Sequence, residues 1–414
     1  MREILARMRS LWGGRARVAR GLEVGRMPAF LSTRSRSYRV SLHPILYGLS
    51  VLLTVACAAK PVAGQVAARV PEPLAGPRAE AVDQVRERIR QWMAERNLPG
   101  VSVAVGVDGD LVWAEGFGWT DIEQRVPVSP LTRFRIGSAS KGLTSAAVGL
   151  LYERGALDLD APVQTYVPSF PEKEWPISTR QLMGHLSGIR HYQGEEEIYS
   201  SRHYDTVLAA LDIFAADPLL FRPGTQYGYS SYGWNLVGAV VESVAGEPFL
   251  DFMRREVFAP LRMGRTVPDD VFRIVPDRAS FYVRDSDGRL QNERHVDGSN
   301  KWASGGFLST PSDLVRFGFA MLDGELLSPQ TVELLWTPLR LESGEAAESA
   351  LGWGVAEMRG SRVVASPGSS IGGRTAFVIF PDQRVVIVVM SNVTGAEVPP
   401  VWQAVAGLFM GSGS

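Results

Sequence analysis

The sequence predicts an α+β domain, with strands at both ends of the globular region and helices between them. Three observations carry that expectation. Residues 101–107 and 111–117 are apolar or alternating runs around Asp108-Gly109-Asp110, a hairpin signal. Near the other end, residues 351–358, 362–366, 374–380 and 384–390 are again strand-like. From about residue 155 to 341 the pattern is mainly helical segments and long loops. The terminal segments are therefore expected to share one antiparallel sheet, and a mainly helical insertion to cover one side of it.

Taken in order, the chain opens on ten arginines and two acids in residues 1–39, followed by an uncharged apolar run over residues 45–59. The run is short for a membrane span and fits the h-region of a signal peptide, with Ala56-Cys57-Ala58 as a small-residue cleavage site. Export is the expectation. Met1 and Met27 are both compatible starts, Met27 giving the more usual leader length. Cys57 is the only cysteine, and Thr54-Val55-Ala56 before it makes an imperfect lipid-attachment box. Cleavage, lipidation at Cys57 and retention as an uncleaved anchor are three open fates for residues 1–59. A lone cysteine excludes an internal disulfide, and with it gone no thiol nucleophile or cysteine metal site remains.

Residues 60–79, rich in Ala and Pro, read as a linker, and residues 80–412 as one domain. Val82, Val85, Ile89, Trp92 and Met93 give residues 79–96 a helical period that stops before Asn97-Leu98-Pro99-Gly100. A further helix is expected from Ser138 to about Arg154, and a last amphipathic one over residues 398–410. Composition is ordinary for a globular protein, 45% hydrophobic and 21% charged in 414 residues. A net charge of −1 and the lack of a basic or aromatic stripe argue against a nucleic-acid partner.

Chemistry enters at Ser138 and Lys141, the only Ser-x-x-Lys in a chain with four lysines against 39 arginines. Guanidinium cannot give up its proton in a protein, whereas ammonium can, so a lysine kept there suggests a base. On a helix, position i+3 lies on the same face one turn on, which puts Lys141 Nζ within reach of Ser138 Oγ. That is the arrangement of an activated serine nucleophile. On these two residues alone, an N-cap serine beside a surface lysine fits equally well.

Two further stretches change the balance: Pro223-Gly-Thr-Gln-Tyr-Gly-Tyr229-Ser-Ser-Tyr, and Ser366-Pro-Gly368-Ser-Ser-Ile-Gly-Gly373 ahead of a strand. The ordered set resembles the serine β-lactamase and penicillin-binding-protein superfamily, class C-like, whose motifs are Ser-x-x-Lys, Tyr-x-Asn and a Lys-Thr-Gly or His-x-Gly strand. Within it, the stretches Arg180-Gln-Leu-Met-Gly-His-Leu-Ser-Gly-Ile-Arg-His-Tyr192 and Lys301-Trp-Ala-Ser-Gly-Gly-Phe-Leu-Ser-Thr310 are similar to the mitochondrial serine β-lactamase-like group and its bacterial relatives. The resemblance spans about residues 82–410. It implies a β-lactamase/transpeptidase-like fold and a serine hydrolase that forms an acyl-enzyme on an ester, amide, peptide or β-lactam, without metal or cofactor. Carried onto matching residues, it makes Ser138 the nucleophile, Lys141 its proton acceptor and Tyr229 the second acid/base. The backbone N–H groups of Ser138 and Ser369 would form the oxyanion hole. Ser231, Ser366 and Gly368 would touch substrate, and His191, Trp302 and Ser304 would line the pocket.

Two positions depart from the pattern. Ser231 stands where the second motif usually ends in Asn, and Ser366 where the third usually begins with Lys or His. The second change removes a cation or donor for a substrate carboxylate, and the pair supports a rival reading as a non-catalytic scaffold that keeps the fold. Gly368-Ser-Ser370-Ile-Gly372 also matches the Gly-x-Ser-x-Gly elbow of α/β-hydrolases, but that fold needs a histidine after the serine and none follows His295. His185, His191 and His203 lie near one another in sequence without metal-ligand spacing, which favours hydrogen-bonded loop histidines. Tyr192, Tyr227 and Tyr232 read as packing residues.

Overall fold

The structure is a computed structural model that describes residues 77–409. The leader, both candidate starts, Cys57 and most of the linker lie outside the described residues. Among the described residues, no helix is long and apolar enough to cross a membrane.

Eight strands form one antiparallel sheet: β1 (Gly100–Val107), β2 (Asp110–Asp121), β3 (Val126–Pro127), β4 (Gly354–Met358), β5 (Ser361–Ala365), β6 (Gly368–Ser370), β7 (Gly373–Phe380) and β8 (Val385–Ser391). The order β3-β2-β1-β8-β7-β5-β4 places the first hairpin directly against the last strands, and β6 continues the edge of β7 beyond β5. Asp108 and Gly109 both take positive φ, +53° and +95°, in the two-residue turn between β1 and β2.

Period-two alternation sorts the strand residues onto two faces. Val101, Val103, Val105, Val385, Ile387 and Val389 pack under helices α1 (Pro77–Arg96) and α6 (Pro399–Phe409), which present Val82, Val85, Ile89, Trp92, Trp402 and Val405. Ala104, Val386, Val388 and Phe377 face the larger core, where α2 (Ser140–Glu153), α3 (Ser231–Ala245), α4 (Pro311–Asp323) and α5 (Pro329–Trp336) lie. Both α2 and α3 are buried along most of their length, so the residues at their N-termini are held rigidly.

Two expectations need correction. Ser138 is not in an α-helix: it lies in the 3₁₀ turn Gly137–Ala139 that leads into α2. Residues 351–353 do not continue β4. Gly352 takes φ +91° and the buried Trp353 stacks on Phe317, so this apolar run closes the core instead of extending the sheet. The mainly helical region contributes the short strands Val267–Pro268 and Phe307–Ser309, which join Phe134–Arg135 in a small antiparallel sheet leading up to Ser138.

Candidate active site

Four segments far apart in sequence meet at the N-terminal end of α2. The first carries Ser138. Phe134 and Ile136 are fully buried and fix the approach, and Arg135 ties it to its surroundings, donating to Asp269 Oδ2 at 2.6 Å and to Ile371 O at 2.9 Å. Gly137 takes φ +53°, and a Cβ there would lie 2.6 Å from Ser369 O and 2.9 Å from Ser369 N. Only glycine suits both demands. The close approach brings the backbone of β6 alongside the turn that holds Ser138.

Gly368 makes the second close approach. A Cβ on it would fall 1.7 Å from Ile136 O and 3.0 Å from Ala139 N, so its contact is with the backbone on either side of Ser138, a positioning role. Ser366 is only 3% exposed, and its Oγ would lie 3.1 Å from a Cβ on Gly142. Ser369 is exposed. Ser370 ends β6, opposite Gly373 in the turn to β7, and its Oγ donates a long 3.5 Å hydrogen bond to Gly373 O. It is a turn residue in an antiparallel hairpin, which the nucleophile elbow of a parallel α/β sheet is not.

Lys141 is buried on the first turn of α2 and its Nζ is surrounded by oxygen. It donates to Tyr229 Oη at 2.8 Å, Ser304 O at 2.9 Å, Ser138 Oγ at 3.0 Å and Ser231 Oγ at 3.3 Å. Ser138 Oγ and Tyr229 Oη share a hydrogen bond of 2.6 Å. Burial lowers the Lys141 pKa, and the neighbouring phenol offsets only part of that. Burial acts to raise Tyr229, but the charge and hydrogen bond of Lys141, with those of Ser138 and Ser231, hold it below the ordinary phenol value. Lysine and phenol therefore both hold a proton less tightly than usual, and the proton of Ser138 has two acceptors within reach.

The loop before α3 aims Tyr229. Ser230 caps the helix, accepting from Gly233 N at 2.9 Å and donating to Arg190 O at 2.7 Å. The next two backbone donors go to histidines: Ser230 N to His185 Nδ1 at 3.1 Å and Ser231 N to His191 Nδ1 at 3.2 Å. Both rings therefore act as acceptors and are neutral. Burial and the charge of Lys141 push His185 well below the usual imidazole value and His191 to about 4. Their rings frame the Tyr229 ring, with centroids 4.4 Å and 5.3 Å away. Arg190 anchors their loop through a two-pronged contact with Glu197 at 2.9 Å and one with Asp217 at 2.5 Å.

Of the expected pocket residues, Ser304 accepts from Lys141 through its carbonyl and His191 lies against the Tyr229 ring. Trp302 does not line the pocket: its indole is 3% exposed, packs in the main core and donates to Tyr204 O at 3.2 Å. His203 leaves the other two histidines and pairs with Asp297 at 2.7 Å. Among the described residues, no group of three His, Cys, Asp or Glu could hold a metal ion. Sequence reasoning missed three residues here: His185, Tyr192 and Lys301. The Tyr192 hydroxyl lies beside those of Ser231 and Ser304, which only partly counter the burial that raises its pKa to about 12. Lys301 Nζ lies 5.3 Å from the Tyr192 ring centroid. The scarcity of lysine that singles out Lys141 applies equally to Lys301, and could have found it.

With this geometry in place, similarity to known proteins can be read. A family model described as Beta-lactamase matches residues 85–407. The serine beta-lactamase-like protein LACTB, mitochondrial, of Homo sapiens is 33% identical, over 74% of this chain and 73% of that protein. Penicillin-binding protein 4* of Bacillus subtilis is 25% identical over 73% of this chain and 70% of its own length. Among solved structures, the octameric penicillin-binding protein homologue from Pyrococcus abyssi superposes with a TM-score of 0.69 at 26% identity, covering 79% of this chain and 76% of that one.

Proposed function

The chain belongs to the beta-lactamase family of serine hydrolases, and from that premise we propose that it hydrolyses esters or amides, peptide and β-lactam bonds included, through an acyl-enzyme on Ser138. The observation that carries the reading is the closed triangle of Ser138 Oγ, Lys141 Nζ and Tyr229 Oη, with sides of 2.6, 2.8 and 3.0 Å. Ser138 Oγ attacks the substrate carbonyl as its proton passes to the Lys141 and Tyr229 pair. Negative charge gathers on the carbonyl oxygen, where the Ser138 and Ser369 amides meet it, supported by the N-terminal end of α2. Tyr229 then protonates the leaving group, and water, losing a proton to the same pair, attacks the acyl carbonyl and releases it from Ser138, whose oxygen takes that proton back. The experiment is hydrolysis of a 4-nitrophenyl ester by wild type and Ser138→Ala. Turnover confined to the wild type supports the reading, and equal rates sink it in favour of a scaffold.

Specificity follows from Ser366. A hydroxyl offers a carboxylate an ordinary hydrogen bond, about half as strong as the contact a cation would make. Activated neutral esters should therefore be turned over better than penicillins. Ser366→Lys or Ser366→His should raise kcat/KM for penicillin more than for the neutral ester. A wild type that already prefers penicillin, or a ratio unmoved in both variants, rules Ser366 out as the selector.

Export belongs to the same proposal. Its support is the run of ten arginines in residues 1–39 followed by the apolar stretch 45–59. Fractionation of the native host should find the chain at or beyond the inner membrane. Full-length chain with an intact N-terminus in the cytosol is the contrary result.

A further inference from the structure

The cleft holds a second lysine for which the acyl-transfer scheme has no use. Lys301 ends the turn Gly298–Lys301, and its own carbonyl accepts from Ser304 Oγ at 3.4 Å, while the Ser304 carbonyl accepts from Lys141 Nζ at 2.9 Å. Its ammonium lies over the Tyr192 ring, 5.3 Å from the centroid. Among the described residues, no hydrogen bond or ion pair reaches Lys301 Nζ.

The charged groups facing it leave it without a counter-ion. Asp269 and Asp297 are within electrostatic reach, as are the positive Arg135 and Lys141. Both acids are committed elsewhere. Asp269 accepts from Arg135 at 2.6 Å and has Arg278 at 3.4 Å. Asp297 holds His203 Nδ1 at 2.7 Å and accepts from Ser299 N at 2.8 Å. An ammonium drawn into a site of this kind is costly unless an anion meets it. Burial brings its pKa down to about 8, so at neutral pH most of it is still charged. The two other lysines whose surroundings are described differ: Lys141 has four oxygens around it, and Lys173 donates to the carbonyls of Ala215 and Asp217.

We propose that Lys301 is a specificity-determining residue, which takes a carboxylate carried by the substrate and so makes acidic esters or amides the preferred substrates of this site. The proposal rests on the acyl-enzyme reading and adds the substrate class to it. The carboxylate sits on the wall built by residues 298–304 and Tyr192, not at the link between β5 and β6, where Ser366 offers no cation. Substrates whose acid group is placed for the Ser366 position, as in penicillins, therefore do not gain from it.

The test compares three esters: 4-nitrophenyl butyrate, the 4-nitrophenyl monoester of glutarate, which carries the acid in its acyl part, and 4-acetoxybenzoate, which carries it in the leaving group. In wild type at pH 7, at least one acidic ester should exceed the butyrate in kcat/KM once intrinsic reactivity is corrected against hydroxide hydrolysis. Lys301→Met should lower that ratio about tenfold or more, mainly through KM, because a charge-assisted contact is lost. Lys301→Arg should keep most of it. The wild-type ratio should fall as pH rises through about 8, where Lys301 loses its charge, and the Lys301→Met ratio should not. A structural role for Lys301 predicts equal losses for all three esters and no such pH dependence. Ratios unmoved by Lys301→Met overturn the proposal. Turnover of none of the esters counts against the acyl-enzyme reading, and Lys301 is then judged by lysine-labelled NMR, which is tractable with four lysines. Monomethyl glutarate should shift the signal that Lys301→Met removes, and no shift at saturation overturns the proposal.

Discussion

Replacing Lys141 with arginine should lower turnover of an activated ester at least about a hundredfold, nearly as far as replacing it with alanine. Charge is not what the position requires. Nζ lies within 2.8 to 3.3 Å of four oxygens in a buried site, and burial weakens its hold on the proton. Guanidinium keeps its proton under the same conditions, so the arginine variant cannot take the one that leaves Ser138. Its planar fork is also too large for a space already closed by Ser231, Ser304 and Tyr229. Rates should be read beside thermal melting, so that misfolding is not mistaken for lost chemistry. A folded Lys141→Arg enzyme with wild-type kcat removes Lys141 as the proton acceptor.

Gly368→Ala should be as damaging without touching a side chain of the site. The added methyl would meet Ile136 O at 1.7 Å, Ile136 C at 2.9 Å and Ala139 N at 3.0 Å. All three are backbone atoms, so no rotamer change relieves the clash. Either β6 or the turn holding Ser138 must move, and these carry the two amides proposed to meet the developing oxyanion. Overpacking of this kind costs about 1 to 3 kcal/mol or more of stability. A shift of about 1 Å at the reacting centre costs about a hundredfold in rate. A lower melting temperature together with a much slower acylation of Ser138 is expected. Unchanged acylation in the alanine variant would mean that β6 does not set the geometry of the nucleophile.

How far the sequence alone reached depends on the kind of signal. The two-faced strands of β1, β7 and β8 and the apolar stripe of α1 were legible because burial on a sheet or helix imposes a period on adjacent residues. Ser138 and Lys141 stood out by their spacing and by the scarcity of lysine, but only the other two motifs turned that spacing into a reading. Tyr229 was legible only through its place in a motif, since nothing local distinguishes it from Tyr227 or Tyr232. The rest of the site comes from loops whose meeting depends on tertiary packing. His185 and His191 looked like a loose histidine group, and their pairing with the amides of Ser230 and Ser231 becomes visible only when the loop folds against α3. Trp302 was misread because the family resemblance put its stretch at the cleft, while its own indole turns inward to Tyr204. Ser138 was placed in a helix because a 3₁₀ turn and the first turn of an α-helix have no separate sequence signature at this length.

The central claim is that Ser138 is the nucleophile and that Lys141 activates it. Intact mass after exposure to a fluorophosphonate, with peptide mapping of the adduct, tests it most directly. Wild type should gain one phosphonyl group on Ser138, Ser138→Ala none, and Lys141→Arg at a rate at least about a hundredfold slower. A single adduct on Ser370, or labelling that persists in Ser138→Ala, would contradict the account.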